Sequence, residues 1–594
     1  MMMKRLLFFL FVFTLTASAY ADKVSQADAE KAAQAFMPGE KFEVQNYTVS
    51  SGRKSAQVPF YIFNKVDGTG FVLISADDRT TPVLGYSLNG SIDQNAMPDN
   101  LRYWLDSYAS QIQALDKDLK ADDMVRNSTP LSNIEPLIQS KWNQSGPYNL
   151  MCPDGTGTDY DDKSYDANNR CVSGCVATAV AQVMYFHQSP HQTTSIPAYN
   201  LKINGNEVTL AELSVTTLEW NKMKNTYNKT DTDESANAVA KLMRYVGQAF
   251  TMYYNTAANG GSGTNISNQA MIEYFGYSKK IHTRDRDKYT TSQWESMVYE
   301  ELRNNRPVLY GGYTKDYTGG HQFICDGYKD GLFHLNWGWG GRLDGFFVLS
   351  VADPNGEQGI GGSDSAFSYG QDAVFNFMPA EDNEEEIPQL RSVANSKFQT
   401  SDYFRSSASE DFTGITLPNN FQAMYDYKPV TTYTAEVGWG LYEGEQLVKM
   451  LGYSVKTIDH RQRKASYYYS YKSNIDNLSI DKTIQDGCYQ LRQLFRKAGT
   501  EDGWTLLDNY GSNCLLAEIK GCCLRIRLDQ ESSVIQSGDV NNDGLVSTTD
   551  MISTIGFLLG DTPKPFYYMA ADVNQDGNIS VADVCKLVDK VLDK

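Results

Sequence analysis

The sequence is short of positive charge and of long apolar runs, and each shortage argues against a class of protein. Its 594 residues include 53 lysines and arginines against 72 aspartates and glutamates, so the formal net charge is −19 at pH 7. Binding to nucleic-acid phosphates requires a basic face, which this balance argues against. A single long apolar run, at the start of the chain, argues against a polytopic membrane protein. We therefore expect an acidic, soluble chain of roughly three to five domains.

Residues 1–21 have the layout of a secretory signal peptide. Two basic residues precede the apolar run Leu6–Leu15, and Ala19 and Ala21 follow as a small-residue cleavage motif. The run is short for a membrane span and has no stop-transfer flank, so an uncleaved anchor is the less favoured alternative. We expect cleavage after Ala21 and a secreted or cell-surface protein with no transmembrane span after signal removal.

Nine cysteines are an odd number, so at least one thiol of an exported chain has no intramolecular disulfide partner. Cys175 stands at the start of Cys175–His187, whose small and apolar residues recur at helical spacing. The free N–H groups and the dipole at a helix N-terminus favour an anion, which predicts a lowered thiol pKa. Gly174 allows the backbone to approach closely in front of the sulfur. A cysteine in this position is more often a buried small residue, so a catalytic role requires a partner elsewhere.

A zinc site is the first alternative for this region. Cys171 and Cys175, followed by His187 and His191, resemble zinc-finger spacing. In one helix from Cys175 to His187, twelve rises of about 1.5 Å separate the two side chains by roughly 18 Å. They could not share one metal ion, so the spacing does not predict zinc.

Histidine is scarce, with six in the chain, and His321 is the candidate partner of the thiol. Two glycines precede it, a strand-like run follows it, and Asn336 and Trp337 come fifteen and sixteen residues later. A nucleophilic cysteine needs an imidazole that holds the thiolate and later protonates the leaving amine. The imidazole needs an acceptor such as an asparagine carbonyl, and a tryptophan over that contact would exclude water. Without Cys175, a core or turn histidine would be the preferred interpretation.

Four motifs in the same order resemble those of the streptopain family of secreted cysteine peptidases. They are Lys-Trp-Asn-Gln-Ser-Gly-Pro-Tyr-Asn from residue 141, Gly-Cys-Val-Ala-Thr-Ala from residue 174, Gly-Gly-His ending at residue 321, and Asn-Trp-Gly-Trp-Gly-Gly from residue 336. The resemblance covers roughly residues 22–378 and implies a papain-like fold. It implies that catalysis needs no cofactor.

The resemblance also implies a role for each catalytic residue. Cys175 would be the nucleophile and His321 the general base and acid. Gln144 would donate to the oxyanion beside the Cys175 N–H, a kind of donor whose loss costs about 100–1000-fold in rate. Asn336 or Trp337 would orient and shield the histidine, and which of them supplies the hydrogen bond stays open.

Substrate-binding positions are implied with less definition. Gly320 matches a backbone contact of the family to substrate. The wall of the substrate cleft corresponds to about Asn255–Thr264, where the register is ambiguous and Ser262 is the candidate.

Residues 22–128 resemble the inhibitory prosegment of the family, most clearly at Val83–Ser91. The polar stretch Lys117–Asn133 is typical of an exposed linker, so we expect cleavage there to remove the prosegment. The alternative is an unrelated N-terminal α+β domain.

The C-terminal stretch 536–594 contains two similar loops. Oxygen-bearing side chains fall at positions 1, 3, 5, 9 and 12 of each loop, with glycine at position 6, which is the spacing of calcium loops. With position 7, the expected ligands are Asp539, Asn541, Asp543, Leu545, Ser547 and Asp550, then Asp572, Asn574, Asp576, Asn578, Ser580 and Asp583. Two loop–helix units 33 residues apart resemble a dockerin module, which implies two Ca²⁺ sites and a cohesin-like docking partner. The alternative is a calcium-stabilised module without a docking partner.

The expected fold class is α+β, with a papain-like domain between an α+β prosegment and a β-sandwich-like domain. The predicted parts are a signal peptide (1–21), an inhibitory prosegment (22–128), a papain-like peptidase domain (129–379), an acidic linker (380–395), a β-sandwich-like domain (396–530) and a small helical calcium-loop module (536–594). The predicted function is that of a secreted cysteine endopeptidase, made as a zymogen, that hydrolyses proteins or peptides. The alternatives are a non-catalytic surface or adhesion protein on a peptidase-like fold, and an amidase or transpeptidase with the same Cys-His chemistry. The joint presence of the four catalytic motifs argues against a decayed site.

Overall fold

The computed structural model describes most of the chain. The described residues are 23–49, 58–114, 131–160, 169–289, 291–313, 320–351, 370–393, 398–425, 427–429, 431–444, 446–459, 468–508, 514–528, 537–541, 545–560, 566, 568–574 and 579–592. The predicted signal peptide and most of the predicted cleavage zone lie outside them. The chain divides into two compact units, residues 1–136 with 325–356 and residues 137–324 with 357–594.

Within the described residues, helices and strands are interspersed as far as residue 313. Among those residues only strands follow as far as residue 528, and the tail is helical. The helices of those residues are α1 (Gln26–Phe36), α2 (Asp99–Ala114), α3 (Cys175–His187), α4 (Glu234–Ala249), α5 (Asn268–Phe275), α6 (Thr291–Arg303), α7 (Thr548–Leu558), α8 (Tyr568–Ala571) and α9 (Val581–Leu592). The strands are β1 (Phe42–Asn46), β2 (Phe60–Lys65), β3 (Phe71–Ser75), β4 (Val83–Ser87), β5 (Tyr199–Ile203), β6 (Asn206–Leu210), β7 (His282–Asp285), β8 (Val308–Tyr313), β9 (Gly320–Lys329), β10 (Leu332–Asn336), β11 (Gly345–Phe347), β12 (Gln371–Phe375), β13 (Gln389–Ser392), β14 (Ser401–Phe404), β15 (Phe412–Pro418), β16 (Phe421–Met424), β17 (Tyr433–Glu443), β18 (Gln446–Ile458), β19 (Tyr468–Tyr471), β20 (Asn474–Ile480), β21 (Gly487–Lys497), β22 (Thr505–Leu506), β23 (Leu515–Lys520) and β24 (Cys523–Leu528).

The first unit is an antiparallel sheet that joins the N-terminal segment to the chain after β9. Strands β1 to β4 form a meander, and β11 pairs with the far side of β4, followed by β10. Gly85 of β4 is needed at this junction, because a Cβ there would lie 2.5 Å from the ring of Phe347. Beside it, Tyr86 stacks on Phe346 with ring centroids 5.4 Å apart. The N-terminal segment and residues 332–351 therefore share one sheet and one core.

Helix α2 of the N-terminal segment fastens the loop that follows β10. The Asn100 side chain donates to the Trp337 carbonyl at 2.9 Å and accepts from the Trp339 indole N–H at 3.1 Å. The ring of Trp104 lies edge-on to the ring of Trp337, with centroids 6.2 Å apart. The Tyr108 hydroxyl donates to the Val348 carbonyl at 2.5 Å. These contacts hold the Trp-Gly-Trp-Gly loop by both hydrogen bonds and aromatic packing.

The second unit begins with a helical core around α3. Its residues 176–184 are buried without exception, and α3 packs against α4. Asp233 caps α4 by accepting the Ala236 N–H at 2.9 Å, which pairs one of the free donors at the helix start. Strands β8, β12 and β7 run antiparallel in that order within this unit. The predicted helix Cys175–His187 is confirmed at both ends.

The region from β13 to β24 is rich in β-structure, as predicted. Its largest sheet has the order β14-β24-β23-β21-β17-β18, and the short strand β22 also pairs with β21. The β15–β20 pair packs on this sheet around the buried Trp439, and the β13-β16-β19 sheet packs on it around Phe421. Apolar side chains on alternating positions of these strands form the two clusters.

The acidic segment after Phe377 is bonded to its surroundings. Glu384 accepts the Ser278 hydroxyl and the Lys279 N–H, both at 2.7 Å. Glu386 is buried and accepts both the N–H and the hydroxyl of Thr431, at 2.6 and 2.7 Å. These carboxylates connect the segment to residues on both sides of it within the second unit.

The tail, from residue 537, is a small helical module built on one apolar cluster. Val540, Val546, Ala571 and Leu587 form its buried centre. Among the helices of the described ranges, none has the length and apolar character that a membrane span requires.

Asn100 provides a test of the attachment between α2 and the Trp337 loop. Asn100→Ala removes three hydrogen bonds, two to the Trp337 loop and one from the Leu101 N–H, and leaves the buried Trp337 carbonyl without this donor. The expected cost is about 1–3 kcal/mol. Amide exchange in β4 and β11 should therefore be faster by about 5–100-fold, as mass spectrometry can measure. Gln113→Ala changes an exposed residue of the same helix and should leave exchange unchanged. Equal exchange in both variants would contradict this role for Asn100.

Candidate active site

Cys175 is the first residue of α3, and the backbone before it is closely packed. Gly174 has φ of +86°, a conformation that L side chains rarely adopt. A Cβ at this position would lie 2.9 Å from the Met252 thioether and 3.0 Å from the Ser262 carbonyl oxygen. The turn that presents the thiol therefore requires glycine for its conformation and for space.

His321 is the second residue of β9, and its strand runs past the thiol. The N–H of Gln322 donates to Cys175 Sγ at 3.5 Å. His321 itself is half-buried, and Gly320 before it is exposed. The structure thus brings the strand that carries the predicted histidine next to the predicted nucleophile.

The backbone of Gln144 is fastened to the residue two positions before the thiol. Its carbonyl accepts the Ser173 N–H at 3.0 Å and the Ser173 hydroxyl at 3.3 Å. Ser173 is fully buried, and its hydroxyl also lies 3.3 Å from that of Thr178, which donates to the Gly174 carbonyl at 2.9 Å. The segment of the predicted oxyanion donor is therefore connected to the first turn of α3.

The segment before Gln144 is held along the same helix. Gln182 accepts the Trp142 N–H at 3.2 Å and the Ser140 hydroxyl at 3.0 Å inside the core. The Trp142 ring stacks on Tyr185 with centroids 5.0 Å apart. Since Gln182 and Tyr185 belong to α3, the helix that presents the thiol also positions the Gln144 segment.

Ser262 lies next to the thiol turn, as the uncertain register allowed. Its hydroxyl accepts the Asn255 N–H at 2.8 Å and donates to the Asn255 carbonyl at 3.0 Å, which closes the loop 255–262. The Ser262 carbonyl, together with the Met252 thioether, leaves no space for a Cβ on Gly174. Residues 255–262 therefore form a closed loop whose Ser262 carbonyl lies beside Gly174.

Asn336 and Trp337 lie in the first unit and are both buried. The Asn336 side-chain oxygen accepts the Gly338 N–H at 3.1 Å. The Trp337 indole donates to the Leu343 carbonyl and its main-chain N–H to the Asp344 carboxylate, both at 3.0 Å. The structure gives both residues fixed positions through contacts inside the first unit.

Burial raises the pKa of the Cys175 thiol, and the N–H groups of Gln322 and Val176 oppose this without reversing it. The lowered pKa expected from the helix N-terminus is therefore wrong for this chain, because loss of solvent outweighs the local donors. Burial also raises the pKa of Cys152 and of Cys171 to about 12. Within the described residues, no disulfide joins any of the cysteines.

Some positions around the site were not predicted. Ser173 and Thr178 connect Gln144 to the helix, and Met252 packs behind Gly174. Small hydroxyl residues at a helix start commonly bond to nearby backbone groups, so the two hydroxyls flanking Cys175 were a usable signal. Met252 is far away in sequence and gave none.

Three segments of the chain match known families. Residues 142–347 match the Peptidase C10 family, residues 21–112 match the Spi protease inhibitor family, and residues 537–592 match the Dockerin type I domain. Streptopain of Streptococcus pyogenes is 33% identical over 343 residues, which cover 56% of this chain and 83% of streptopain. The thiol protease/hemagglutinin PrtT of Porphyromonas gingivalis is 31% identical over 384 residues, which cover 61% of this chain and 42% of PrtT. This chain therefore spans less than half the length of PrtT.

Among solved structures, the prointerpain A fragment of Prevotella intermedia is 28% identical to this chain. The match covers 57% of this chain and 99% of the fragment, with a TM-score of 0.45. The active interpain A cysteine protease of the same organism is 30% identical over 41% of this chain and 95% of its own, with a TM-score of 0.34.

The family match and the thiol protease relatives place the protein among the cysteine peptidases, and a thiol at a helix start beside a strand led by glycine and histidine agrees with that class. The identity to streptopain over most of that protein's length narrows the class, and the chain belongs to the Peptidase C10 family. It is a cysteine endopeptidase whose N-terminal region is consistent with an inhibitory prosegment. A dockerin type I domain lies at its C-terminal end.

Ser173 is expected to position Gln144, the predicted oxyanion donor. Ser173→Ala removes a buried hydroxyl that accounts for one of two hydrogen bonds to the Gln144 carbonyl, worth about 0.5–1.5 kcal/mol. We expect kcat on a peptide substrate to fall by about 3–10-fold with KM unchanged. Ser195→Ala changes an exposed serine of the same unit and should alter neither constant. A rise in KM at constant kcat would assign Ser173 to substrate binding instead.

The raised pKa of Cys175 predicts slow alkylation of the uncut chain at neutral pH. A thiol with a raised pKa holds less thiolate at pH 7 than an exposed cysteine does, and the thiolate is the reactive form. Iodoacetamide should therefore modify Cys175 more slowly than the exposed Cys488 and Cys585, with its rate still rising above about pH 8.5. Mass spectrometry of each cysteine-containing peptide measures the rates. Faster modification of Cys175 at pH 7 would contradict the raised pKa.

Proposed function

We propose that this chain is the precursor of a secreted cysteine endopeptidase in which Cys175 is the nucleophile and His321 the general base and acid. The observation that carries the assignment is the Gln322 N–H on Cys175 Sγ, which holds the strand of His321 against the thiol. His321 takes the thiol proton as sulfur bonds to the substrate carbonyl carbon, then protonates the leaving amine. Water, deprotonated by His321, then attacks the acyl-enzyme and releases the carboxylic acid and the thiol.

The oxyanion is assigned two donors, the Gln144 side chain and the Cys175 N–H. The anchoring of Gln144 to Ser173 supports this, since a preorganised donor stabilises the developing charge without moving. The substrate is a protein or peptide, with Gly320 as a backbone contact and Ser262 in the cleft wall. Asn336 and Trp337 are assigned to orient and shield His321, as the family motif implies.

The N-terminal segment is proposed to keep the precursor inactive. The segment supplies Asn100 and Trp104 to the loop that contains Trp337, so its removal changes the surroundings of a proposed site residue. The raised pKa of Cys175 in the uncut chain agrees with a thiol that is not yet activated. Cleavage in Lys117–Asn133 is proposed to release activity after export directed by residues 1–21.

The tail is proposed to bind two Ca²⁺ ions, and its carboxylates suit them. Asp550 accepts the N–H groups of Val540 and Ser547, at 2.6 and 2.8 Å, so it joins the two ends of the first loop. Asp583 joins the ends of the second loop through Asn574 and Ser580, at 3.0 and 2.9 Å.

The donor set fits calcium because it consists of carboxylate, amide and hydroxyl oxygens, the ligands that this ion prefers. The proposed ligands within the described residues are Asp539, Asn541, Leu545, Ser547 and Asp550 in the first loop, and Asp572, Asn574, Ser580 and Asp583 in the second. Asp543, Asp576 and Asn578 lie outside the described residues. Bound calcium would neutralise the proposed ligand carboxylates of each loop.

The tail is also proposed to bind a cohesin-like partner. Ile552, Leu559 and Val581 expose 68%, 79% and 70% of their surface although they are apolar. Exposed apolar side chains grouped on a small module are typical of a docking surface.

Replacing the nucleophile tests the assignment and the self-processing together. Cys175→Ala should abolish hydrolysis of casein and leave the purified precursor uncut, because the same thiol is proposed to make both cuts. Cys488→Ala, at an exposed cysteine, should keep both activities. N-terminal sequencing over time and a casein assay are the measurements. Casein hydrolysis by Cys175→Ala would refute the nucleophile, and its normal maturation free of other proteases would refute self-processing alone.

Calcium binding is tested on the full chain with Cys175→Ala, which prevents self-cleavage. Calorimetry should show two Ca²⁺ ions per chain, and Asp539→Asn and Asp572→Asn should each remove one of them. Asp589→Asn changes an exposed carboxylate on α9 and should leave both. In the wild-type chain, chelation should not stop casein hydrolysis after maturation. Retention of both ions by either loop variant would contradict the assigned ligands.

A further inference from the structure

A lysine of the β-rich region forms an ion pair with a proposed calcium ligand. Lys520, at the end of β23, places its Nζ 3.2 Å from the Asp572 carboxylate. The Asp572 side chain is 0% exposed, whereas that of Lys520 is 30% exposed. Asp572 is the first residue of the second calcium loop. The ammonium group thus neutralises a buried carboxylate that calcium would otherwise neutralise.

The surface that carries Lys520 is held firmly in place. Arg405 donates twice to the Gly521 carbonyl, at 3.0 and 2.7 Å, and the Gly521 N–H donates to Asp486 at 2.9 Å. These bonds hold the tight turn between β23 and β24, directly after Lys520. We call Phe404, Arg405, Lys520 and Gly521 the strand-end surface.

Aromatic packing attaches the tail to the same surface. The ring of Phe404 lies 5.0 Å from that of Tyr568 and 5.6 Å from that of Phe557. Tyr568 opens the short helix α8 that leads into Asp572. Two aromatic contacts and one ion pair therefore attach the tail module to the strand-end surface.

Lys520 and calcium compete for the same oxygens. A calcium ion binds carboxylate oxygen at about 2.3–2.6 Å, so it would stand a few ångströms from an ammonium group at its present position. Two positive charges at such a short distance, the calcium ion and the Lys520 ammonium group, repel strongly in a partly buried site. Calcium can therefore bind fully at the second loop only after the ammonium group has moved away from Asp572.

We propose that the strand-end surface is a receptor for the chain's own tail module in its calcium-free state, and that calcium at the second loop displaces Lys520 and releases the module. The proposal rests on the calcium binding proposed above. By linkage, Lys520 weakens calcium binding at the second loop by the same factor by which calcium weakens the attachment. The tail would thus be free to reach an outside partner where calcium is plentiful.

The first measurement is calcium calorimetry on the full chain with Cys175→Ala. Adding Lys520→Gln should strengthen binding at the second loop by about fivefold or more and leave the first loop unchanged. Lys497→Gln is the matched control, since Lys497 pairs with Glu385 at the other end of β21. Ten residues of strand, roughly 33 Å, separate it from the level of Ile519, so it tests the loss of one positive charge alone.

The second measurement needs no variant at the contact. A carbodiimide joins a lysine to a carboxylate only when the two groups touch, so it should cross-link Lys520 to Asp572 in chelator. Saturating calcium should remove this cross-link, while the one between Lys497 and Glu385 should persist in both conditions. Mass spectrometry of the digested chain identifies both products.

The outcomes separate this proposal from the one on which it rests. If neither loop binds calcium, the proposed calcium binding fails and the release mechanism fails with it. If both loops bind calcium, but Lys520→Gln leaves the affinities unchanged and the Lys520–Asp572 cross-link survives in calcium, only the release mechanism is overturned.

Discussion

The burial of helix α3 is the constraint on which the site depends. Because residues 176–184 are surrounded by protein, the helix cannot shift, and its first residue, Cys175, has a fixed position. Gln182 in the middle of the same helix holds the chain before Gln144, and the Thr178 hydroxyl lies beside that of Ser173. One buried element therefore sets the distance between the nucleophile and the proposed oxyanion donor. Burial around Cys175 itself raises the pKa of its thiol, which agrees with a site that is activated by a change in its surroundings.

The N-terminal segment is part of a β-sheet that also contains strands from after residue 331. Strand β4 pairs with β11, and Asn100 of α2 binds the backbone of the loop that contains Trp337. Removing the segment would expose the edge of β11 and take one hydrogen-bond donor away from the buried Trp337 carbonyl. Both losses cost free energy, so the attached segment stabilises the uncut chain. In the tail, Lys520 forms an ion pair with Asp572, and we propose that calcium replaces the lysine there. In both places a part of the chain makes contacts that, as proposed, must break: the N-terminal segment at the Trp337 loop before activity, and Lys520 at Asp572 before calcium binds.

Local patterns predicted the elements that depend on local chemistry. Helix α3 begins and ends where its spacing indicated, and strand β9 lies where a strand-like run follows His321. The pKa of Cys175 was predicted in the wrong direction, because a helix N-terminus is visible in sequence while the extent of burial is not. The role of Ser173 was not predicted for a similar reason. Its partner Gln144 is 29 residues away and contacts it only in the folded chain.

The sequence by itself determined which residues could do chemistry: one thiol at a helix start, one histidine after two glycines, and two loops with oxygen atoms at calcium spacing. These are properties of residue type and short-range order, which a chain carries before it folds. Only the tertiary structure decided which of those groups meet. The approach of the Gln322 N–H to Cys175, and of Lys520 to Asp572, joins residues 147 and 52 positions apart. Such contacts depend on how buried surfaces pack, and the pattern along a chain contains no record of that packing.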